Sequence, residues 1–200
     1  MEMKVKLVQA TENAGKMIAD IASICYGKEE AKNPERLLKN LYKLGHHSVF
    51  EHVYYTFKIE GISRVTHLQL TRHRHTSPTV ESQRYTDQSE NIVIMPETIA
   101  SNPRAYMIFE KTVTQSQEAY KKLRELGIPK EDARYLLPEG IATSKYLSMN
   151  LRELIHIAKL RISKQAQWEI RELVREMVRL VVEHSPELEF MFEGVLDNEN

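Results

Sequence analysis

Apolar positions along this chain change period several times, and each change predicts an element. Residues 4–8 alternate and predict a short strand. Ala14, Ile18, Ile21, Ala22 and Cys25 then recur at helical spacing, which places Cys25 on a buried stripe and makes it a core residue. Asn33-Pro34 predicts the start of a second helix carrying Leu37, Leu38, Leu41 and Tyr42, with Gly45 as its stop. Over 52–59 the period returns to two. Val53, Tyr55, Phe57 and Ile59 face one way, and His52, Tyr54, Thr56 and Lys58 the other, as in a half-buried strand. From 62 to about 74 the spacing is helical again, with Ile62, Val65 and Leu68 in line and Gln69 beside Arg72 on one face. Ser77-Pro78 is the expected break.

Beyond that break, 82–85 and 92–95 read as extended. Asn102-Pro103 opens a long helix striped by Tyr106, Phe109, Val113, Tyr120 and Leu123, closed by Gly127 and Pro129. A short helix over 131–136 stops before Pro138. Asn150 with Glu153 forms a capping-box pattern ahead of a buried stripe of Leu151, Leu154, Ile155, Ala158 and Ile162. Arg152, His156 and Lys159 share one flank of that helix, and Arg161 projects on the other side. A final helix over 165–183 buries Ile170, Leu173, Val174, Met177 and Val181, with Trp168 as a core residue beneath it. Neither repeat nor linker interrupts the chain. The expected fold is α+β: a small, mostly antiparallel sheet with flanking long helices, in a single domain spanning 1–200.

Composition narrows the partners. Lysine plus arginine equals aspartate plus glutamate, 28 each, so no global field draws in nucleic acid or an anionic membrane. No apolar run approaches the roughly 20 residues of a membrane span. The first ten residues alternate charge with apolar side chains, unlike a signal peptide. One cysteine excludes an internal disulfide framework. A cytoplasmic protein is expected.

The densest chemistry lies in 69–85, where Arg72, Arg74 and Arg84 surround two histidines, a serine and a turn. Guanidinium forks suit an anion with several oxygens, so a phosphorylated ligand with a planar ring is one reading, with Gln69 pairing to the ring edge. A solvated helix end is the other, and spacing alone leaves the two level. Metal binding is not expected. His73 and His75 are two apart and flanked by arginines, and His46 and His47 are adjacent. Ser82 lacks the nucleophile-elbow glycines, Cys25 lies on its apolar stripe, and no glycine-rich phosphate loop occurs. Arg134 and Arg161 read, by spacing alone, as partners of surface carboxylates.

Arg72-His73-Arg74, seven residues, then Ser82 with Arg84-Tyr85, resembles the signature of the flavin-dependent thymidylate synthases. Three further blocks match that family in the same order: Gly45–His52 (GHHSVFEH); Ala133-Arg134 ahead of Leu137-Pro138; and Asn150-x-Arg152 through Leu160-Arg161 to Ala166-Gln167-Trp168-Glu169. The resemblance implies a homotetramer with active sites shared between subunits, each holding FAD. It also implies conversion of dUMP to dTMP, with carbon from methylenetetrahydrofolate and reducing equivalents from NADPH. Carried over by position, His46, Ser48, Arg72, His73, Arg74, Val80, Asn150, Arg152 and His156 are similar to flavin contacts. Gln69, Arg72, Glu81, Ser82, Gln83, Arg84, Arg134 and Arg161 are similar to dUMP contacts. Arg161 resembles the family residue that favours ionisation at N3 of the uracil; no metal is implied.

The chain departs from the family at one point. Asn-Glu is often found where Thr79-Val80 stand, and here Glu81 comes one place later. The departure keeps a second reading in view, a related flavin-dependent enzyme modifying another pyrimidine nucleotide. A third, a noncatalytic nucleotide- or RNA-binding module using the basic segment, conflicts with the net neutrality of the chain.

Overall fold

A computed structural model describes residues 2–194 and 196. In chain order its elements are β1 (Lys4–Ala10), α1 (Ala14–Ser23), α2 (Pro34–Lys43), β2 (Tyr54–Ser63), α3 (Arg64–Leu70) and β3 (Thr76–Val80). There follow α4 (Glu97–Ala100), α5 (Pro103–Glu125), α6 (Lys130–Ala133), β4 (Ala142–Asn150), α7 (Leu151–Arg161) and α8 (Trp168–His184). The strands form one antiparallel sheet in the order β1-β2-β4-β3, so the class is α+β. Two compact units divide the chain. The first holds Met1–Lys4, Glu60–Gln69 and Thr79–Lys145; the second holds Val5–Ile59, Leu70–Pro78 and Tyr146–Asn200.

Local sequence sets the helix starts. Asn33 caps α2 by accepting from the Arg36 N–H, with Pro34 as the first helical residue. Asn102 does the same for α5, Asn150 for α7 and Gln167 for α8. In the second unit α1 packs on α2 and α7 on α8. Leu151, Leu154, Ile155, Ala158 and Ile162 are all buried, as are Ile170, Leu173, Val174, Met177 and Val181. Each large side chain so buried stabilises the fold by about 1.5–3 kcal/mol. Val53, Tyr55, Phe57 and Ile59 are buried and Tyr54 exposed, the alternation expected of a strand with one wet face.

The β2–β4 ladder contains a register step. Leu151 N–H donates to Val53 C=O at 2.8 Å, and Arg64 N–H to Ile141 C=O at 3.0 Å. From 53 to 64 the first segment advances eleven residues, and from 151 to 141 the second advances ten. The extra residue lies on the β2 side, where Gly61 adopts φ 72°, the left-handed conformation of a G1-type bulge that glycine tolerates.

Several expectations need correction. Ile62 belongs to β2, because the Ser63 hydroxyl accepts from the Thr66 N–H and caps a helix that starts only at Arg64. That start rotates Thr66, His67 and Leu70 inward and leaves Leu68 46 % exposed. The helix ends at Leu70, so Arg72 sits in a turn and shares no helical face with Gln69. Pro78 lies within β3, an edge strand, where its missing N–H costs no ladder bond. Residues 82–85 form a turn instead of a strand: Ser82 C=O accepts from both Tyr85 and Thr86 N–H at 3.0 Å. In 92–95 only Val93 pairs, in a single antiparallel bridge to Ile141. Strand β4 had no counterpart in the expected pattern.

Cys25 is exposed, not core. Helix α1 ends at Ser23 and tightens into a 3-10 turn over Ile24–Tyr26, closed by Gly27 at φ 65°, which swings Cys25 off the stripe. Along α5 only Tyr120 is fully buried; Tyr106, Met107 and Ile108 are exposed. Trp168 is half-buried at the first position of α8, not beneath it. No described helix is long and apolar enough to cross a membrane.

Candidate functional site

In the second unit, the exposed flank of α7 opens onto a cleft of about 540 Å³ lined by Asn150, Arg152, His156, Lys159, Glu51, His47 and His75. Gly45, at φ 76°, ends α2 and turns the chain into a 3-10 segment over His47–His52. That turn presents His46 and Ser48 to a neighbouring hollow of about 440 Å³, which Cys25 and Tyr26 also line. His47 and Arg152 border both spaces. Arg152 is ion-paired to Glu51. The His47 ring stacks on Tyr42 with centroids 5.6 Å apart, and the Lys159 ammonium lies 5.4 Å from the Tyr42 ring centre. Thus five expected cofactor residues, His46, Ser48, Asn150, Arg152 and His156, converge here.

The turn after α3 is divided. Arg72 and Arg74 are exposed and line neither space. His73 is 5 % exposed and accepts at Nε2 from Arg161 Nε at 3.0 Å. Its Nδ1 is 3.8 Å from a carboxylate oxygen of Glu153, and the His156 ring stands edge-on at 6.0 Å. Burial, then the neighbouring Arg161 and His156, push the His73 imidazole down to about 4, so it is neutral at pH 7.

The expected substrate residues of the first unit are spread over several elements. Gln69 is half-buried on α3, and Val80, expected as a flavin contact, is half-buried at the end of β3. Glu81 accepts from the Gln88 amide at 3.3 Å, and the Ser82 hydroxyl accepts from Arg84 N–H at 3.3 Å. Arg84 donates to Glu131 at 2.6 Å, and Arg134 Nε to the Glu131 carbonyl at 3.0 Å. Gln83 and Arg134 line a hollow of about 320 Å³; Gln69, Glu81, Ser82 and Arg84 do not.

That hollow contains a cation the sequence pattern missed. Arg64 lines it beside Arg134, and burial together with the Arg134 charge lowers the Arg64 guanidinium from its ordinary value. The Gln83 side chain is buried with its amide nitrogen lacking a hydrogen-bond partner among the described residues. Two like charges lining one hollow suit an anionic ligand, which would offset their repulsion. The signal for Arg64 was its place at a strand-to-helix junction, obscured because the helix was expected to begin at Ile62. Among the described residues no three histidine, cysteine, aspartate or glutamate side chains cluster as a metal would require.

Fold and site together define an α+β protein with arginine- and histidine-lined clefts. Residues 6–187 match the family described as thymidylate synthase complementing protein, and the chain belongs to that family. It is 39 % identical over 190 residues to a flavin-dependent thymidylate synthase of Geobacter sulfurreducens, covering 90 % of this chain and 82 % of the relative. A Haloarcula marismortui protein of the same name is 34 % identical over 228 residues, covering 92 % of each. One from Clostridium tetani is 35 % identical over 219 residues, covering 97 % of this chain and 88 % of its own length.

Proposed function

We propose that this chain is a flavin-dependent thymidylate synthase that converts dUMP to dTMP. Methylenetetrahydrofolate donates the carbon and NADPH the reducing equivalents. The observation that carries the reading is the convergence of His46, Ser48, Asn150, Arg152 and His156 on two adjoining spaces in one unit. Their donors suit FAD: the Arg152 guanidinium matches a pyrophosphate, while Ser48 and the histidines offer hydrogen bonds to polar ring and ribityl groups. When bound, the flavin supplies hydride chemistry.

This chain's own residues supply orientation and charge. Arg64, Arg134 and the Gln83 amide hold the nucleotide's anionic and polar groups. Arg161 is a fixed cation that stabilises negative charge at N3 of the uracil and so makes C5 more nucleophilic. Arg72, Arg74, Val80, Glu81, Ser82 and Arg84 complete the contacts to the two ligands. The 200 residues act as one catalytic domain, and the exposed Tyr106, Met107 and Ile108 of α5 support burial in a homotetramer with shared active sites. The setting is the cytoplasm.

A specific feature favours a second reading. Val80 is an apolar, half-buried side chain where the family often has glutamate, and Glu81 is bonded to Gln88. A flavin-dependent enzyme modifying another pyrimidine nucleotide would tolerate that change. Purified protein should be yellow with oxidised flavin and should consume NADPH faster when dUMP is added. A colourless protein that never takes up FAD ends the proposal, and the product mass separates the two enzymes.

A further inference from the structure

Arg161 stands at the last turn of α7 and Glu153 in its first turn, eight residues away, or about 12 Å along the axis. The two cannot touch. His73, from the turn after α3, bridges them: its Nε2 takes the Arg161 Nε–H at 3.0 Å, and its Nδ1 faces Glu153 at 3.8 Å. Glu153 is 7 % exposed, and its own backbone N–H is held by Asn150 at 2.9 Å, so the carboxylate has a fixed origin.

The chemistry of arginine decides the histidine's state. A guanidinium has donors only, so the Nε2 that meets it must carry a lone pair, and the single ring proton must sit on Nδ1, toward Glu153. We infer that Glu153 and His73 are positioning residues for Arg161, the buried carboxylate reinforcing the Nδ1–H tautomer that the guanidinium requires and the imidazole fixing the plane of the guanidinium. The inference rests on the proposed role of Arg161 at the pyrimidine. A long side chain pinned at Nε presents its terminal nitrogens in one orientation, which is what stabilising charge on one ring nitrogen demands. The burial of a carboxylate beside a helix start, where an exposed acid would serve the helix dipole equally well, has a reason on this account.

The test reads the histidine directly. In the full-length, FAD-loaded protein with ¹⁵N-labelled histidine, His73 should show a protonated Nδ1 and a bare Nε2; a protonated Nε2 overturns the inference without any variant. Glu153→Leu should lose that single tautomer and lower kcat by about ten- to a hundredfold, with KM for dUMP changed less than about threefold. Glu153→Gln, which keeps an acceptor oxygen, should restore most of kcat. Unchanged tautomer and kcat in Glu153→Leu refute the positioning role. Normal turnover in Arg161→Ala would instead remove the proposed role of Arg161, while the His73 signals still report whether the contact exists.

Discussion

Arg84 gives its Nε–H to Glu131 at 2.6 Å, and next to it Lys130 donates to the Tyr85 carbonyl at 2.8 Å. The turn that carries Ser82 and Gln83 is therefore tied to α6. A nucleotide phosphate reaching for Arg84 must compete with the Glu131 carboxylate. Glu131→Gln should tighten dUMP binding about two- to fivefold in a calorimetric titration and leave the unfolding midpoint nearly unchanged, since the pair is exposed. Weaker binding would mean that Glu131 orients Arg84 for the ligand and does not compete for it.

Arg161→Ala should lower kcat by about 10²–10³ while FAD stays bound, because Arg161 lines neither of the spaces proposed for the flavin. Absorbance of the purified variant reports the flavin, and tritium release from labelled dUMP reports turnover. Normal turnover would exclude a role in activating the pyrimidine.

Lys145 is 3 % exposed, on the buried side of β4, and burial lowers its ammonium to about 8. Below pH 8 the folded protein holds a buried charge. Between 8 and 10.5 the unfolded chain carries a proton that the folded one lacks, so stability rises with pH across that window. Lys145→Met should stabilise the protein at pH 7 by about 1–2 kcal/mol, the shift being discounted for residual screening. The advantage should shrink toward zero as pH passes 10.5 in urea unfolding. Equal gains at pH 7 and 10.5 would assign the effect to packing.

His67 and His73 both have imidazoles lowered to about 4 from 6.5, chiefly by burial. Between those values the unfolded chain binds protons that the folded one refuses, so stability must fall as pH drops from 6.5 to 4. His67→Leu should flatten the pH dependence of the unfolding free energy by about one proton in that window. The Nδ1 of His67 has no hydrogen-bond partner among the described residues, so the substitution breaks no bond there. An unaltered slope would show that His67 is accessible to protons in the folded state.

The α7 stripe was readable because five apolar residues kept helical spacing behind an asparagine cap, and Arg152 and His156 followed from the same periodicity. Strand β4 was not. Thr143 and Lys145 occupy its buried face, so polar side chains stand where the pattern needed apolar ones. Arg64 escaped for a related reason: Ser63 caps the helix after a strand that continues through Ile62, a boundary set by one hydroxyl. The motif residues were found by resemblance, but their distribution was not. His73 is buried while Arg72 and Arg74 are exposed, because past Leu70 the chain leaves the helix and helical spacing no longer says which side chain turns inward.

The displaced Cys25 has a practical outcome. It is the one thiol in the chain and borders the hollow shared with His46 and Arg152. A maleimide fluorophore would attach at a single defined address, turning an accident of helix termination into an optical reporter of whatever enters that space.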